Sequence, residues 1–252
     1  MYNSFMSGHS HFATIRRTKE VKDAARGKVF TRHAKAITIA IKSGGNADPD
    51  MNSRLRFAID QAKADNMPKT NIDRILEKAS ESGNLDEITY EGFGPGGIMV
   101  LVETATDNRN RTAQEMKGLF DKNGGNMAGV GAVSFNFDLK GLLVVQKKGN
   151  ADEQELTLID LGADDIVESD GFLEVYTAPD KLVEVKNKVE GAGFVVDSYA
   201  LVQRPKNYQS ISDLETAQKV IHFLDTIENY EDVQKVYSNG DIPEEILNQI
   251  HN

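Results

Sequence analysis

The stretch that most constrains the fold is residues 90–137, in which a glycine-rich lead-in, an apolar run, a helix start and a second apolar run follow in order. Residues 98–102 are too continuously apolar for a half-exposed edge, so the strand that we predict over residues 98–104 should be central. Thr112 and Glu115 have the spacing of a capping box, which predicts a helix start. The alternating apolar residues over 132–137 predict a second strand. Together these signals predict a β-α-β unit.

One motif in this stretch has a more familiar interpretation, which we reject. Gly92, Gly94 and Gly97 have the spacing G-x-G-x-x-G of dinucleotide-binding proteins. That motif binds a pyrophosphate only where it follows a strand and opens a helix. Here the glycines precede the predicted strand and Pro95 stiffens the segment, so we interpret it as a structural turn.

Charge is distributed very unevenly along the 252 residues. The net charge is −10, yet residues 1–80 carry 15 Lys and Arg against 8 Asp and Glu, and the remainder carries 14 against 31. Residues 1–46 alone carry 9 basic residues against 2 acidic ones. Such separation predicts a basic end that meets phosphate and an acidic body that repels it. An acidic protein with a basic helical cap that binds nothing is the alternative.

The basic end contains most of the candidate binding residues. Residues 8–17 have neither a helical nor a strand period and predict an extended arm. Residues 19–42 predict a helix, disturbed at Gly27, with Lys28 and Arg32 opposite its apolar stripe. This face is typical of phosphate contact or of an ordinary solvated helix surface. The candidate nucleic-acid-binding residues are Arg16, Arg17, Lys19, Lys22, Arg26, Lys28, Arg32 and Lys35, together with Arg109 and Arg111 beside the glycine-rich loop 123–131.

The remaining patterns predict the domain organisation. Two further helices, beginning after Asn52 and at Pro68, complete a small helical domain. Residues 139–205 show the order β-α-β-β-α-β of ferredoxin-like folds. The final helix and strand lack a sheet partner of their own, so we expect them to complete the first sheet.

The predicted class is therefore α+β, with an N-terminal three-helix domain followed by two ferredoxin-like α/β domains, one inserted in the other. The predicted domains are residues 1–80, residues 81–138 with 206–252, and residues 139–205.

Several classes of protein are disfavoured by the composition. The chain has no Cys, which fits a reducing compartment, and it has no apolar run of the ~20 residues that span a bilayer. Its first residues lack the features of a signal peptide, so we expect a cytoplasmic protein without membrane contact. His9 and His11 have no nearby acidic residue or Cys to complete a metal site. We expect no enzyme activity, no metal and no cofactor, because no nucleophile–base or phosphate-loop signature is present.

Six short motifs together resemble the YebC/PmpR family. The resemblance extends from about residue 6 to the C-terminus, although this family usually has Lys-Trp where His11 and Phe12 stand here. The motifs are Gly8-His9-Ser10, Lys28-Val29-Phe30, Asn66-Met67-Pro68, the glycine-rich residues 90–97, residues 106–112 and Gly124-Gly125-Asn126.

The resemblance implies a three-domain protein of a family named as probable transcriptional regulators that bind DNA. It also implies an alternative, because some relatives, including a mitochondrial one, act as translational activators at the ribosome. We therefore predict a nucleic-acid-binding regulator of gene expression. Its partner is either DNA or, in a ribosome-associated translation factor, ribosomal RNA.

Overall fold

A computed structural model describes residues 23–78, 85–149, 151–169 and 171–251. These residues form two compact units. The first unit comprises residues 23–134 and 215–240, and the second comprises residues 135–214 and 241–251. The helices and the first sheet thus fall in one unit, whereas we had predicted separate domains for them. The three predicted domain boundaries stay a prediction.

Three helices begin the first unit and share an apolar core. Asn52 caps the second helix, since its side-chain oxygen accepts a hydrogen bond from Leu55 N at 3.0 Å and its amide donates to Ala40 O at 2.8 Å. The inward positions expected for this helix are confirmed as buried, and Gly27 does not interrupt the first helix. The helices are α1 (Asp23–Gly44), α2 (Ser53–Ala64) and α3 (Lys69–Lys78).

A four-stranded antiparallel sheet forms the rest of the first unit. Its order is β3-β1-β2-β9, and in the pairing of the last two strands Leu101 lies opposite Tyr237. This pairing confirms that the end of the chain returns to complete the first sheet. The elements are β1 (Asp86–Phe93), β2 (Met99–Thr106), α4 (Arg109–Lys122), β3 (Asn126–Ala128), α7 (Leu214–Glu228) and β9 (Val233–Ser238).

The predicted β-α-β unit is wrong in detail, because the order is β1-β2-α4-β3. The predicted strand at 132–137 is a 3-10 turn over Ser134–Asn136 followed by the next strand, and Phe135 is 62% exposed despite the alternating pattern. Helix α4 begins earlier than the predicted capping box, because Asn108 accepts from Arg111 N and caps it. Thr112 is buried inside the helix.

The missed strand β1 forms a hairpin with β2 through a 3-10 turn at Pro95–Gly97, which agrees with the structural interpretation of that glycine-rich segment. Gly92 lies within β1, where a Cβ atom would stand 2.7 Å from the Asn126 carbonyl oxygen. A side chain is therefore excluded at Gly92 by the close approach of β3.

The second unit is built on another four-stranded antiparallel sheet, of order β5-β6-β4-β7. The predicted element order β-α-β-β-α-β is found, and the α+β class is confirmed; the ferredoxin-like assignment stays a prediction. The elements are β4 (Phe137–Gln146), α5 (Ala151–Asp160), β5 (Asp165–Ser169), β6 (Phe172–Thr177), α6 (Leu182–Gly191) and β7 (Val196–Pro205).

Three short elements complete the described chain. They are β8 (Gln209–Ser210), β10 (Gly240–Asp241) and α8 (Glu244–His251). Near the second unit's end, Ile211 N donates to Asp241 O at 2.8 Å. Of the helices in the described ranges, none is long and apolar enough to cross a membrane.

Candidate nucleic-acid interface

The basic face of α1 is in contact with the segment that joins α7 to β9. The helical period brings Lys28, Arg32 and Lys35 to one side of α1. Lys28 Nζ donates to Asn229 Oδ1 at 3.0 Å, and Arg32 Nε donates to Val233 O at 3.1 Å. Arg32 also donates to the Glu228 carbonyl. These predicted phosphate-binding cations therefore fasten α1 to residues 228–233.

Asp232 is the centre of this contact. Its side chain is 3% exposed and lies 2.7 Å from Lys35 Nζ, 2.9 Å from Arg111 Nη2 and 2.8 Å from Thr112 Oγ1. Burial alone would raise the pKa of Asp232, but hydrogen bonds from Lys35, Thr112 and Arg111 outweigh it and lower the pKa to about 2. Asp232 is therefore ionised at neutral pH. We refer to Asp232, Lys35, Arg111 and Thr112 as the Asp232 cluster.

The three cations of α1 differ in how readily they could turn to a phosphate. Lys35 is 18% exposed and also donates to the carbonyls of Ala105 at 3.0 Å and Glu231 at 3.1 Å. Removing such a buried cation from its carboxylate is strongly unfavourable. Lys28, in contrast, is exposed and holds one amide oxygen, a contact that water or phosphate can replace. Lys35 is thus held within the protein more strongly than Lys28 is, and phosphate binding by either residue stays a prediction.

The two arginines at the start of α4 are also paired with carboxylates. Arg109 Nε lies 3.3 Å from Asp86 Oδ2. Arg111 lies 3.0 Å from Asp107 as well as near Asp232, and its side chain remains 42% exposed. The flanking carboxylates neutralise much of the positive charge that we expected here.

The glycine-rich loop beside α4 is anchored by a buried carboxylate. Glu91 is 5% exposed and accepts hydrogen bonds from the backbone N–H groups of Gly131 at 2.8 Å, Val133 at 2.7 Å and Ser134 at 2.9 Å. Burial acts to raise the pKa of Glu91, but these backbone hydrogen bonds outweigh it and lower the pKa. The loop is therefore held in one conformation while Val130 at its tip is 95% exposed.

Our sequence reasoning missed Glu91 and Asp232. Glu91 had a detectable signal, since an acidic residue stands between Tyr90 and Gly92 in a run that ends in a buried strand. Asp232 had no such signal, because nothing in the sequence around it distinguishes it from the other acidic residues of the C-terminal part.

The structure describes only some of the predicted binding residues. Arg16, Arg17, Lys19 and Lys22 lie outside the described residues, and Arg26 lies in the first turn of α1. Three exposed cations that we had not singled out carry no ion pair with any described residue. These are Arg56, Lys69 and Arg74. Over the described ranges no group of three or more His, Cys, Asp or Glu is placed to hold a metal ion.

Comparison with known proteins matches most of the chain to one family. The family described as "TACO1/YebC protein N-terminal domain" matches residues 10–82, and the one described as "TACO1/YebC second and third domain" matches residues 85–240.

Full-length relatives show the same similarity. A probable transcriptional regulatory protein of Syntrophomonas wolfei is 44% identical over 248 residues, covering 96% of this chain and 99% of that protein. One of Citrifermentans bemidjiense is 45% identical over 248 residues, covering 97% and 100%. The crystal structure of a conserved hypothetical protein from Aquifex aeolicus superimposes with a TM-score of 0.83 at 40% identity, covering 94% of this chain and 99% of that one. The chain belongs to the TACO1/YebC family.

Proposed function

We propose that this protein is a non-catalytic regulator of gene expression that binds nucleic acid in the cytoplasm. The observation that carries the proposal is the concentration of charge, with 9 basic and 2 acidic residues in residues 1–46 of a chain whose net charge is −10. A basic end of this kind attracts a phosphate backbone, while an acidic body limits how much of the protein approaches it. The name of its relatives, probable transcriptional regulatory protein, supports a regulator.

The contacts of α1 narrow the set of binding residues. Lys35 and Arg111 hold Asp232, and we assign them to the fold rather than to phosphate. Arg32 donates to two backbone carbonyls, which phosphate would have to replace. The proposed interface therefore consists chiefly of the arm cations, Arg16 and Arg17 among them, together with Lys28.

Salt dependence of binding tests this assignment. The triple variant Arg16→Ala, Arg17→Ala, Lys28→Ala should bind a fluorescent 20-base-pair duplex, in DNA and in RNA form, more weakly than the parent protein. Each lost phosphate contact should reduce the slope of log K against log salt by about 0.7–0.9. A matched control removes three other exposed cations of the first unit, in the variant Arg56→Ala, Lys69→Ala, Arg74→Ala.

The control should keep the parent slope, although its overall affinity falls slightly through the lower net charge. If the arm variant is folded and keeps the parent slope, the interface lies elsewhere. If neither duplex is bound by the parent protein at low salt, the proposed function itself is wrong.

A second candidate function is a ribosome-associated translation factor that binds ribosomal RNA. The observation that favours it is that Arg32 and Lys35 of α1 are held by residues 228–233. Lys28 then remains as the readily available cation of that face, and one lysine can contact phosphate but cannot read a series of base pairs in a DNA groove. A transcriptional regulator must prefer its site over other DNA by typically ~10³-fold, which requires side chains that reach base edges.

Discrimination between promoter and scrambled DNA separates the two candidates. At physiological salt a translation factor should prefer its best promoter fragment by less than ~10-fold in a gel-shift titration. It should also co-sediment with ribosomes. A promoter complex that survives excess competitor DNA would exclude the translational alternative and leave direct transcriptional control.

A further inference from the structure

Helix α5 in the second unit turns most of its apolar surface outward. Of its aliphatic side chains Leu158 is completely buried, whereas Leu156 is 66% and Ile159 is 53% exposed. Leu156 and Ile159 are three residues apart and therefore adjacent on one side of the helix. At 100° per residue, Leu158 points to the other side. The structure thus leaves more than half of each of these two adjacent aliphatic side chains exposed.

Carboxylates surround this apolar pair. Residues 151–165 contain six acidic residues and no basic residue. Two of the six are paired within the unit, Asp164 with Lys140 and Asp165 with Arg204. On the helix itself the helical period places Asp160 and Glu153 along one border of the pair and Glu155 along the other. Those three carry no ion pair with a described residue.

The two properties together select the class of partner. Exposed aliphatic side chains gain free energy when another apolar surface covers them, at roughly 25 cal/mol per Å² buried. The acidic residues beside the apolar pair restrict which partner can cover it. They attract a cationic segment, and they repel both nucleic acid and anionic lipid. A helix of 10 residues extends about 15 Å, which suits a partner helix of similar length.

We propose that the outer face of α5, defined by Leu156 and Ile159 with the carboxylates of Glu153, Glu155 and Asp160, docks a cationic amphipathic helix of a partner protein. Leu156 and Ile159 contact the apolar stripe of that helix, and the carboxylates contact Lys or Arg beside the stripe. This interaction is separate from nucleic-acid binding, because it uses the second unit and the opposite sign of charge.

Binding of a designed peptide tests the proposal. The probe is a fluorescent 14-residue peptide of Leu and Lys whose Leu residues follow the helical period i, i+3, i+4, i+7. A second peptide of the same composition has its order scrambled, so it has the same charge but no apolar stripe. The full chain should bind the amphipathic peptide at least tenfold more tightly than the scrambled one, by fluorescence anisotropy.

Paired variants then locate the site. Leu156→Ser with Ile159→Ser should abolish the preference for the amphipathic peptide, and Glu155→Gln with Asp160→Asn should weaken binding and reduce its salt dependence. The matched control, Leu139→Ser with Val195→Ser, removes two other exposed aliphatic side chains of the second unit and should bind as the parent does. All substituted side chains are partly or fully exposed, and circular dichroism checks that each variant is folded.

Three results would overturn the proposal. These are equal binding of the two peptides, unchanged binding by the Leu156/Ile159 variant, and loss of self-association in that variant, which would identify a second copy of this chain as the occupant. Nucleic-acid affinity of the same variant gives an independent readout. The nucleic-acid affinity of the variant should equal that of the parent. The docking proposal can therefore fail while the proposed nucleic-acid-binding function stands.

Discussion

At the scale of single residues, two buried carboxylates are held by donors of different kinds. Glu91 accepts hydrogen bonds from residues 131–134, chiefly from their backbone N–H groups, so its role is local. Asp232 accepts from the cations of two helices as well as from Thr112, so it links elements that are far apart in sequence. Both carboxylates have a lowered pKa, and both therefore make stability depend on pH in acid.

For Glu91 we expect the variant Glu91→Gln to destabilise the first unit by about 1–3 kcal/mol at pH 7, because an amide offers one acceptor oxygen in place of two. A lowered folded-state pKa gives stability that is present above the ordinary pKa of glutamate and is lost as pH falls through the folded value. The difference between parent and variant should therefore shrink below about pH 4.5.

Urea unfolding at pH 7 and at about pH 3.5 measures this difference. Glu87→Gln is the matched control, since Glu87 lies on the same strand, is half exposed and pairs with Arg54 at the surface. It should change stability by no more than about 1 kcal/mol. An equal effect of the two substitutions would contradict the anchoring role of Glu91.

For Asp232 we expect Asp232→Asn to destabilise the protein by about 3–5 kcal/mol, because Lys35 and Arg111 then lose their shared buried carboxylate. The pKa of Asp232 is lowered from 3.8 to about 2, so its contribution is fully present above 3.8 and is lost only as pH falls toward 2. The difference in unfolding free energy between parent and variant should accordingly stay constant from pH 7 to about pH 4.5. A difference that declines between pH 7 and about pH 5 would show that another group titrates in this contact.

At the scale of elements, the hydrogen bonds that attach one face of helix α1 to residues 228–233 differ in strength along the helix. Lys35 reaches the buried Asp232, whereas Lys28 reaches the exposed Asn229. Substituting Lys35 should therefore weaken the packing of α1 on residues 228–233 far more than the same substitution of Lys28.

The matched pair Lys35→Met and Lys28→Met tests this gradient with one chemical change. Lys35→Met should cost about 3 kcal/mol or more, because it breaks a buried ion pair. Lys28→Met should cost less than about 1 kcal/mol. Urea unfolding measures both, and hydrogen exchange of the α1 amides should accelerate only in the Lys35 variant. Equal destabilisation by the two would contradict the gradient.

The helices were largely predictable from the sequence, because their signals are local. The N-cap at Asn52 and the inward spacing of Leu55, Ala58, Ile59 and Ala62 lie within twelve residues of one another. The strand at 132–137 was mispredicted because alternation records which side chains are apolar, and a 3-10 turn can bury Val133 and Phe137 equally well.

The sequence could predict which cations share a face of α1, but it could not predict what those cations contact. The helical period correctly brings Lys28, Arg32 and Lys35 to one face of α1. Their protein partners could not be inferred, because Lys35 and Glu231 are separated by 196 positions and no local pattern records such a contact. A cationic face that docks within the protein has the same sequence signature as one that binds phosphate.

At the scale of the whole molecule, the first unit depends on residues from both ends of the chain. Strand β9 covers the edge of β2, and Phe223 of α7 packs edge-on against Phe120 at 5.2 Å between ring centroids. Truncation after Arg204 removes both. We expect the truncated protein to lose its cooperative thermal transition and to self-associate through the exposed β2 edge, as size-exclusion chromatography would detect. A monomer with the parent melting transition would contradict this dependence.

The pairing of β2 with β9 also sets an order of events during biosynthesis. In that pairing Thr104 lies opposite Val233, 129 positions later in the chain. At a synthesis rate of ~5–20 residues per second, the ribosome needs roughly 6–26 s to deliver the second partner after the first. Throughout that interval the backbone groups at the β2 edge of the nascent chain lack their partners in β9. Most residues of the second unit lie between β2 and β9 in the sequence, so they emerge before β9 covers this edge. Vectorial synthesis therefore favours completion of the inserted sheet before the sheet that precedes it in the chain.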